Sequence, residues 1–240
     1  EEAAIGQVVR DFRAALPHAA IYVYDNNSKD RTAAVAAEAG AIVRREPLQG
    51  KGNVVRRMFA DIDADAYVMV DGDDTYHAAS APGLVAKLFT DQVDMVNAAR
   101  MTEIQAAYRP GHRFGNWLLT WLVSTIFGHR TEDMLSGYRV FSRRFVKSFP
   151  ALSSGFEIET ELTVHALEVR MPLAEVPTPY KDRPAGSVSK LSTFRDGFRI
   201  LWLISKLVKE ERPVQFFGIG ALVLALIAVI VAWPVFVTYF

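Results

Sequence analysis

The stretch Tyr67–His77, "YVMVDGDDTYH", decides how this chain is read. An apolar run ends at Val70, and three carboxylates follow within four positions: Asp71, Asp73 and Asp74. Like charges this close repel unless a cation sits among them. Gly72 permits a tight turn between Asp71 and Asp73, and carboxylates at i and i+2 can reach one hard divalent ion. Mg²⁺ commonly takes one or two carboxylates and completes its shell with water and substrate phosphates. An acidic loop that faces water or caps the next helix fits the same residues. An EF-hand does not: the sixth loop position is Tyr76 where glycine is needed, and the twelfth is Pro82 where glutamate is needed.

On the N-terminal side of this turn, strand and helix patterns alternate. "AIYVY" (20–24), "AIVRR" (41–45), "AYVMV" (66–70) and "VDMVNAA" (93–99) read as strands. "RTAAVAAEAG" (31–40), "GKGNVVRRMFADI" (50–62) and a segment from Ser80 to about Phe89 read as helices, with Gly40 and Ser80 as caps. This rhythm predicts an α/β fold with a mostly parallel sheet flanked by helices. Ligands of such sheets lie beyond the carboxyl ends of the strands, so Asp25, Gly50 and Asp71 should converge.

The chain has 240 residues, with Lys+Arg and Asp+Glu balanced at 27 each. That balance argues against a nucleic-acid partner. The absence of cysteine excludes disulfides, zinc thiolate sites and a thiol nucleophile.

The second half departs from the alternation. "RFGNWLLTWLVSTIFG" (113–128) is apolar and aromatic but shorter than a membrane span, which suits a helix in the bilayer interface. "SGYRVFSRRFVKSF" reads as a strand then a basic helix. "GFEIETELTVHALE" reads as a helix with Glu157, Glu161 and Glu168 roughly on one side. His112 and His165 read as structural. Residues 1–190 form the predicted catalytic domain, in halves 1–100 and 101–190, and 191–212 an amphipathic juxtamembrane helix. From Phe216 to Val237 there is no charged residue. Such a run spans a hydrocarbon core of ~30 Å, so 213–240 is read as a C-terminal transmembrane segment that stops in apolar sequence. Lys206, Lys209 and Arg212 precede it, which places the preceding domain on the cytoplasmic face of the inner (plasma) membrane.

Several motifs in order carry a family resemblance. "YDNNSKDRT" (24–32) resembles the "DDGSxDxT" loop of the family 2 glycosyltransferases, which have the GT-A (Rossmann-like) fold. "GKGNVVRRMF" (50–59) resembles their glycine–lysine–glycine helix start, and "VMVDGDDTY" (68–76) sits where their DxD motif belongs. "RFGNWLLT", "DMLSGYRVFSRR", "GFEIETEL" and "VPTPYKDRPAGSVSKL" resemble the polyprenyl-phosphate branch, which includes dolichol-phosphate mannose synthases and bacterial undecaprenyl-phosphate sugar synthases. Departures stand beside these. The family's opening strand and base-holding loop are expected ahead of Glu1. Asn26 and Asn27 replace the usual aspartate and glycine, and Asp74-Thr75 replaces an aromatic–glutamine pair. A rival pattern, the strand–DxDxT of haloacid-dehalogenase-like phosphatases, would make Asp71 a nucleophile and Asp73 an acid/base. That motif normally lies on the first core strand, and here two strand–helix units precede it. A non-catalytic membrane protein that binds nucleotide sugars is the other alternative.

The resemblance implies roles. Asp25 and Asn26 contact the nucleobase, and Lys51 lies near the ribose or diphosphate, with Gly50 and Gly52 allowing close approach. Asp71 touches the nucleotide and, with Asp73, the metal, Mg²⁺ or Mn²⁺. Arg100, Arg113, Arg139, Arg183 and Lys190 meet the acceptor phosphate. Asp73, Asp133 and Arg113 form the catalytic set, with Asp133 near the donor sugar. The expected partners are a nucleotide sugar, UDP-linked by preference, a polyprenyl phosphate and the membrane, and a homo-oligomer is compatible with such an anchor.

Overall fold

The computed structural model describes residues 1–101, 120–121, 123–125, 133–181, 198, 201–202, 205–206, 208–210 and 212–239. The expectations for Arg113, Arg183, Lys190 and His112, for most of the helix 113–128 and for most of 182–211 lie outside these residues. The chain divides into two compact units, Glu1–Ile200 and Leu201–Phe240.

In the first unit, α1 (Glu2–Ala15) precedes the alternation read from the sequence. Then come β1 (Tyr22–Asp25), α2 (Thr32–Glu38), β2 (Ile42–Arg45), α3 (Lys51–Asp61), β3 (Ala66–Met69), a 3₁₀ turn (Ala78–Ser80), α4 (Ala81–Thr90) and β4 (Met95–Met101). Ser80 precedes α4 but makes no side-chain cap; its hydroxyl pairs with His77 Nδ1 at 3.0 Å. The second half adds β5 (Arg139–Ser142), α5 (Arg143–Ser148), α6 (Ile158–Glu168) and β6 (Leu173–Pro179). Ser142 does cap: its Oγ accepts from the Phe145 amide at 3.1 Å.

β1 and β2 pair in parallel. The other strands form a sheet in the order β3-β5-β4-β6. β3, β4 and β6 run one way, and β5 is inserted antiparallel between β3 and β4. The alternation implied parallel neighbours. β5 enters from the second half and takes an interior place, burying Val140 on one face and Phe141 on the other.

The period-2 alternation sorts the core into two layers. Tyr67, Met69, Met95 and Phe141 face α3, α5 and α6, meeting Val55, Phe59, Phe145, Ile158 and Leu162. Val96, Ala98, Tyr138 and Val140 face α1 and α4, meeting Val8, Phe12, Leu84 and Leu88. Phe59 is the hub of the first layer, edge-on to Tyr67, Phe141 and Phe149. His165 is structural, as expected: its Nε2 lies 3.0 Å from Ser148 Oγ and its ring stands edge-on to Phe145 and Phe149.

α6 matters most for function. Every residue from Ile158 to Ala166 is buried, Glu159 and Glu161 included. A carboxylate in such a helix requires a partner. The buried pair therefore differs from the face Glu157–Glu161–Glu168 read from the sequence.

The second unit contains α7 (Pro213–Tyr239). It carries no charged residue and is long and apolar enough to cross a membrane, with none of its apolar stretch buried in protein.

Candidate active site

The site is built where α3 begins. Gly50 has φ 132°, a conformation that disfavours any side chain. A Cβ on Gly50 would overlap the Ser154 carbonyl oxygen, and one on Gly52 that of Ser153. The Gly52 amide donates to Ser154 O at 3.0 Å. The expectation was that these glycines make room for a diphosphate. The structure instead fills that space with the backbone of residues 153–154. Glu161 holds this loop in place, accepting from the Leu152 and Ser153 amides at 2.7 and 2.8 Å.

This docking brings Lys51 to α6. Its ammonium lies 2.6 Å from Asp71 Oδ1 and 2.5 Å from Glu159 Oε1, with the Phe156 ring centroid 6.0 Å away. Burial opposes the charge, but Asp71 and Glu159 outweigh it and hold the ammonium above the usual lysine pKa. Lys51 and Asp71, both singled out from the sequence, are thus joined directly, and Lys51 has a second partner, Glu159, that the sequence reading passed over. The reason is structural: α6 is buried nearly all round, so its glutamates need a cation or backbone donors.

The three carboxylates of the acidic turn part company. Asp71 follows β3 and takes Lys51. Its carboxylate also rests against Gly137, where a Cβ would overlap it, and the Gly137 amide donates to Tyr76 Oη at 2.8 Å. The glycine of "DMLSGYR" therefore gives Asp71 its room. Asp73 is 5% exposed, and its Oδ1 accepts from the Thr75 amide at 3.3 Å and the Thr75 hydroxyl at 2.6 Å. Asp74 has φ 59° and pairs with Lys181 at 2.8 Å, an exposed contact of small energetic weight.

Asp25 closes β1 and accepts from the Ser28 amide at 3.3 Å. Asn26 is corrected from a base contact to a loop organiser. Its Nδ2 donates to Glu46 O and Leu48 O, each at 2.8 Å, and its Oδ1 accepts from the Gly50 amide at 2.7 Å and Gln49 Nε2 at 3.2 Å. Both donors and the acceptor are spent on residues 46–50, the segment that delivers Lys51.

Arg100 and Asp133 are brought together, but onto each other. Asp133 is 6% exposed. It accepts from Arg100 Nε at 2.6 Å and Nη2 at 2.8 Å, and from the Arg100 and Leu135 amides at 3.2 Å. Burial works against the Asp133 charge, yet the Arg100 fork holds its pKa below the ordinary range. Asp133, expected near the donor sugar, is thus a partnered carboxylate, and the Tyr180 ring packs 5.5 Å from the Arg100 guanidinium.

Arg139 is the clearest correction. It was expected to meet the acceptor phosphate, but it is fully buried. It donates to Ser136 O at 3.0 Å, Met134 O at 2.7 Å and Thr163 Oγ1 at 2.7 Å. It ties the segment carrying Asp133 and Gly137 to α6. Arg139→Ala is expected to lower unfolding stability by about 3 kcal/mol, because it strands buried acceptors and opens a cavity. Thermal and denaturant unfolding measure this.

The fold is a GT-A-like α/β domain, and the acidic turn with its lysine stands at a strand end. The chain belongs to glycosyl transferase family 2, whose sequence profile matches residues 1–148. It is a glycosyltransferase that uses a nucleotide sugar, which sets aside the phosphatase and non-catalytic readings. It is 35% identical over 224 residues to glycosyltransferase AglJ of Haloferax volcanii, covering 91% of this chain and 72% of that protein. It is 31% identical over 212 residues to a dolichyl-phosphate hexose transferase of the same organism, covering 88% and 91%. In fold it is similar to glucosyl-3-phosphoglycerate synthase of Mycobacterium tuberculosis, solved with Mn²⁺, UDP and glucosyl-3-phosphoglycerate. There the TM-score is 0.68 at 23% identity, over 88% of this chain and 76% of that one.

Proposed function

We propose that this glycosyltransferase moves a hexose from a UDP-sugar to a polyprenyl phosphate held in the membrane, with inversion at the anomeric carbon. One juxtaposition carries the reading: a family 2 glycosyltransferase domain and a charge-free helix long enough to span a bilayer stand in one chain. The dolichyl-phosphate hexose transferase relative supports it. Lys206, Lys209 and Arg212 ahead of the helix support a cytoplasmic catalytic domain by the positive-inside rule.

In this reaction an acceptor phosphate oxygen bonds to the anomeric carbon while the bond from that carbon to the diphosphate breaks. A phosphate monoester has a second pKa of ~6, so near neutral pH the attacking oxygen is already largely ionised. No strong base is then required, which suits an Asp133 that Arg100 already holds in its charged form. The demand is positive charge beside two phosphates. Lys51 supplies it on the donor side. Arg113, Arg183 and Lys190 take the acceptor phosphate on the strength of the family resemblance.

Asp71 and Asp73 offer hard carboxylate oxygens, the donor chemistry that suits Mg²⁺ or Mn²⁺. Among the described residues no group of three or more metal-ligating side chains gathers; two carboxylates suffice for an ion that shares water and substrate phosphate. A divalent cation bound there supplies charge neutralisation to the departing diphosphate. Thr75 orients Asp73 and Gly137 makes room for Asp71, which supports this role.

The test is acceptor-dependent release of UDP from UDP-hexoses by the full chain in detergent. Release should require undecaprenyl phosphate and should not respond to phosphoglycerate. Release with phosphoglycerate and none with the lipid would overturn the acceptor assignment.

A further inference from the structure

The cation on Asp71 in the structure is Lys51. We propose that Lys51 is a resident counter-cation of the donor site, which a divalent ion must displace from Asp71, and that Glu159 is the positioning residue that receives it. This rests on the assignment of Asp71 and Asp73 to a divalent cation.

The geometry leaves the lysine little choice. Its ammonium bridges Asp71 Oδ1 and Glu159 Oε1 at 2.6 and 2.5 Å. The backbone of α3 is held on the 153–154 loop, where the Gly52 amide donates to Ser154 O at 3.0 Å. That loop is fixed by Glu161. An ammonium and a divalent ion on one carboxylate repel each other. On this proposal the Lys51–Asp71 hydrogen bond opens when the ion arrives. The stem can pivot while the head stays on Glu159, which is itself fixed in the fully buried stretch of α6. The lysine then remains charged beside the site, at the place a diphosphate requires. Among the described residues, the anchor left to it without Glu159 is the carboxylate the ion needs. Neither Glu159 nor this exchange follows from the DxD motif, since Lys51 and Glu159 are 108 positions apart.

A double-mutant cycle tests this. Mn²⁺ binding to the full chain in detergent is measured by electron paramagnetic resonance of the free ion, with and without UDP, for the native protein, Lys51→Met, Glu159→Gln and the double variant. Without UDP, Lys51→Met is expected to bind Mn²⁺ at least about tenfold tighter, because the competitor is gone. Glu159→Gln is expected to bind it about tenfold more weakly, because the lysine stays on Asp71. In the Lys51→Met background the Glu159→Gln change should have little effect. Equal weakening by Glu159→Gln in both backgrounds would overturn the proposal, as would unchanged Mn²⁺ affinity in Lys51→Met. If Glu159→Gln does not fold, Glu159→Asp, which keeps the charge and shortens the reach, is expected to weaken Mn²⁺ binding and takes its place. Absence of Mn²⁺ binding to the native chain even with UDP would overturn the cation assignment itself.

Discussion

Asp73→Asn is expected to lose about a thousandfold of sugar-transfer rate, the scale of removing a central electrostatic group from a preorganised site. It should unfold at nearly the native temperature. Alanine is the obvious choice from the sequence, but the structure favours asparagine. Asp73 Oδ1 accepts from the Thr75 hydroxyl and amide inside the turn. Asparagine keeps an oxygen for those donors and removes only the charge. Alanine would remove both and would confuse a loosened turn with a lost ligand. Steady-state rates with saturating nucleotide sugar, beside a thermal melt, separate the two. Native turnover in Asp73→Asn would exclude a charge-dependent role for this carboxylate.

Gly52→Ala is expected to be severely damaging. It should cost more than about 3 kcal/mol of stability, beyond ordinary overpacking, and most of the activity with it. The new Cβ would collide with the backbone carbonyl of Ser153, which cannot rotate away as a side chain could. Relief requires α3 to shift from the 153–154 loop, and that shift carries Lys51 off Asp71 and Glu159. Gly83→Ala is the natural comparison. A Cβ there meets nothing within 4 Å, and the helix gains about 0.5–1 kcal/mol from replacing glycine. Denaturant unfolding of the two variants should move in opposite directions. Equal stability would show that the α3 docking is looser than described.

The local half of this molecule was legible from sequence. Strand and helix periods between Ala20 and Ala99 gave the order β1-α2-β2-α3-β3-α4-β4, and the acidic turn fell after β3 as expected. The charge-free C-terminal run became α7. What stayed hidden depends on contacts between distant segments. β5 reads as a strand, but nothing local says that it enters between β3 and β4 in the opposite direction. Arg139 looks like a surface cation beside Arg143 and Arg144. Its burial is set by Met134, Ser136 and Thr163, which close over it only once α6 packs on β5. Gly50 and Gly52 read as room for a ligand, because the family resemblance points there. Their true neighbour, the 153–154 backbone, lies about a hundred residues downstream. Asn26 read as a base contact for the same reason, and its amide is spent on the loop beside it. Glu159 was missed because spacing on a helical wheel favours exposed faces, whereas α6 has almost none.

The site therefore reads differently from the acidic motif that first drew attention. The turn supplies two carboxylates. Its working geometry comes from elsewhere: Gly137 gives Asp71 its room, Asn26 shapes the loop that leads to Lys51, and α6 supplies the anion that holds the lysine.

The most direct measurement of the proposed activity is mass spectrometry of the lipid fraction. The full chain is incubated with undecaprenyl phosphate, a divalent cation and a panel of nucleotide sugars. The expected result is one new lipid, heavier than undecaprenyl phosphate by a single hexosyl unit, formed from a UDP-hexose and absent in Asp73→Asn. No glycosylated lipid from any donor, in a preparation that binds UDP, would contradict the assignment of a polyprenyl phosphate as acceptor.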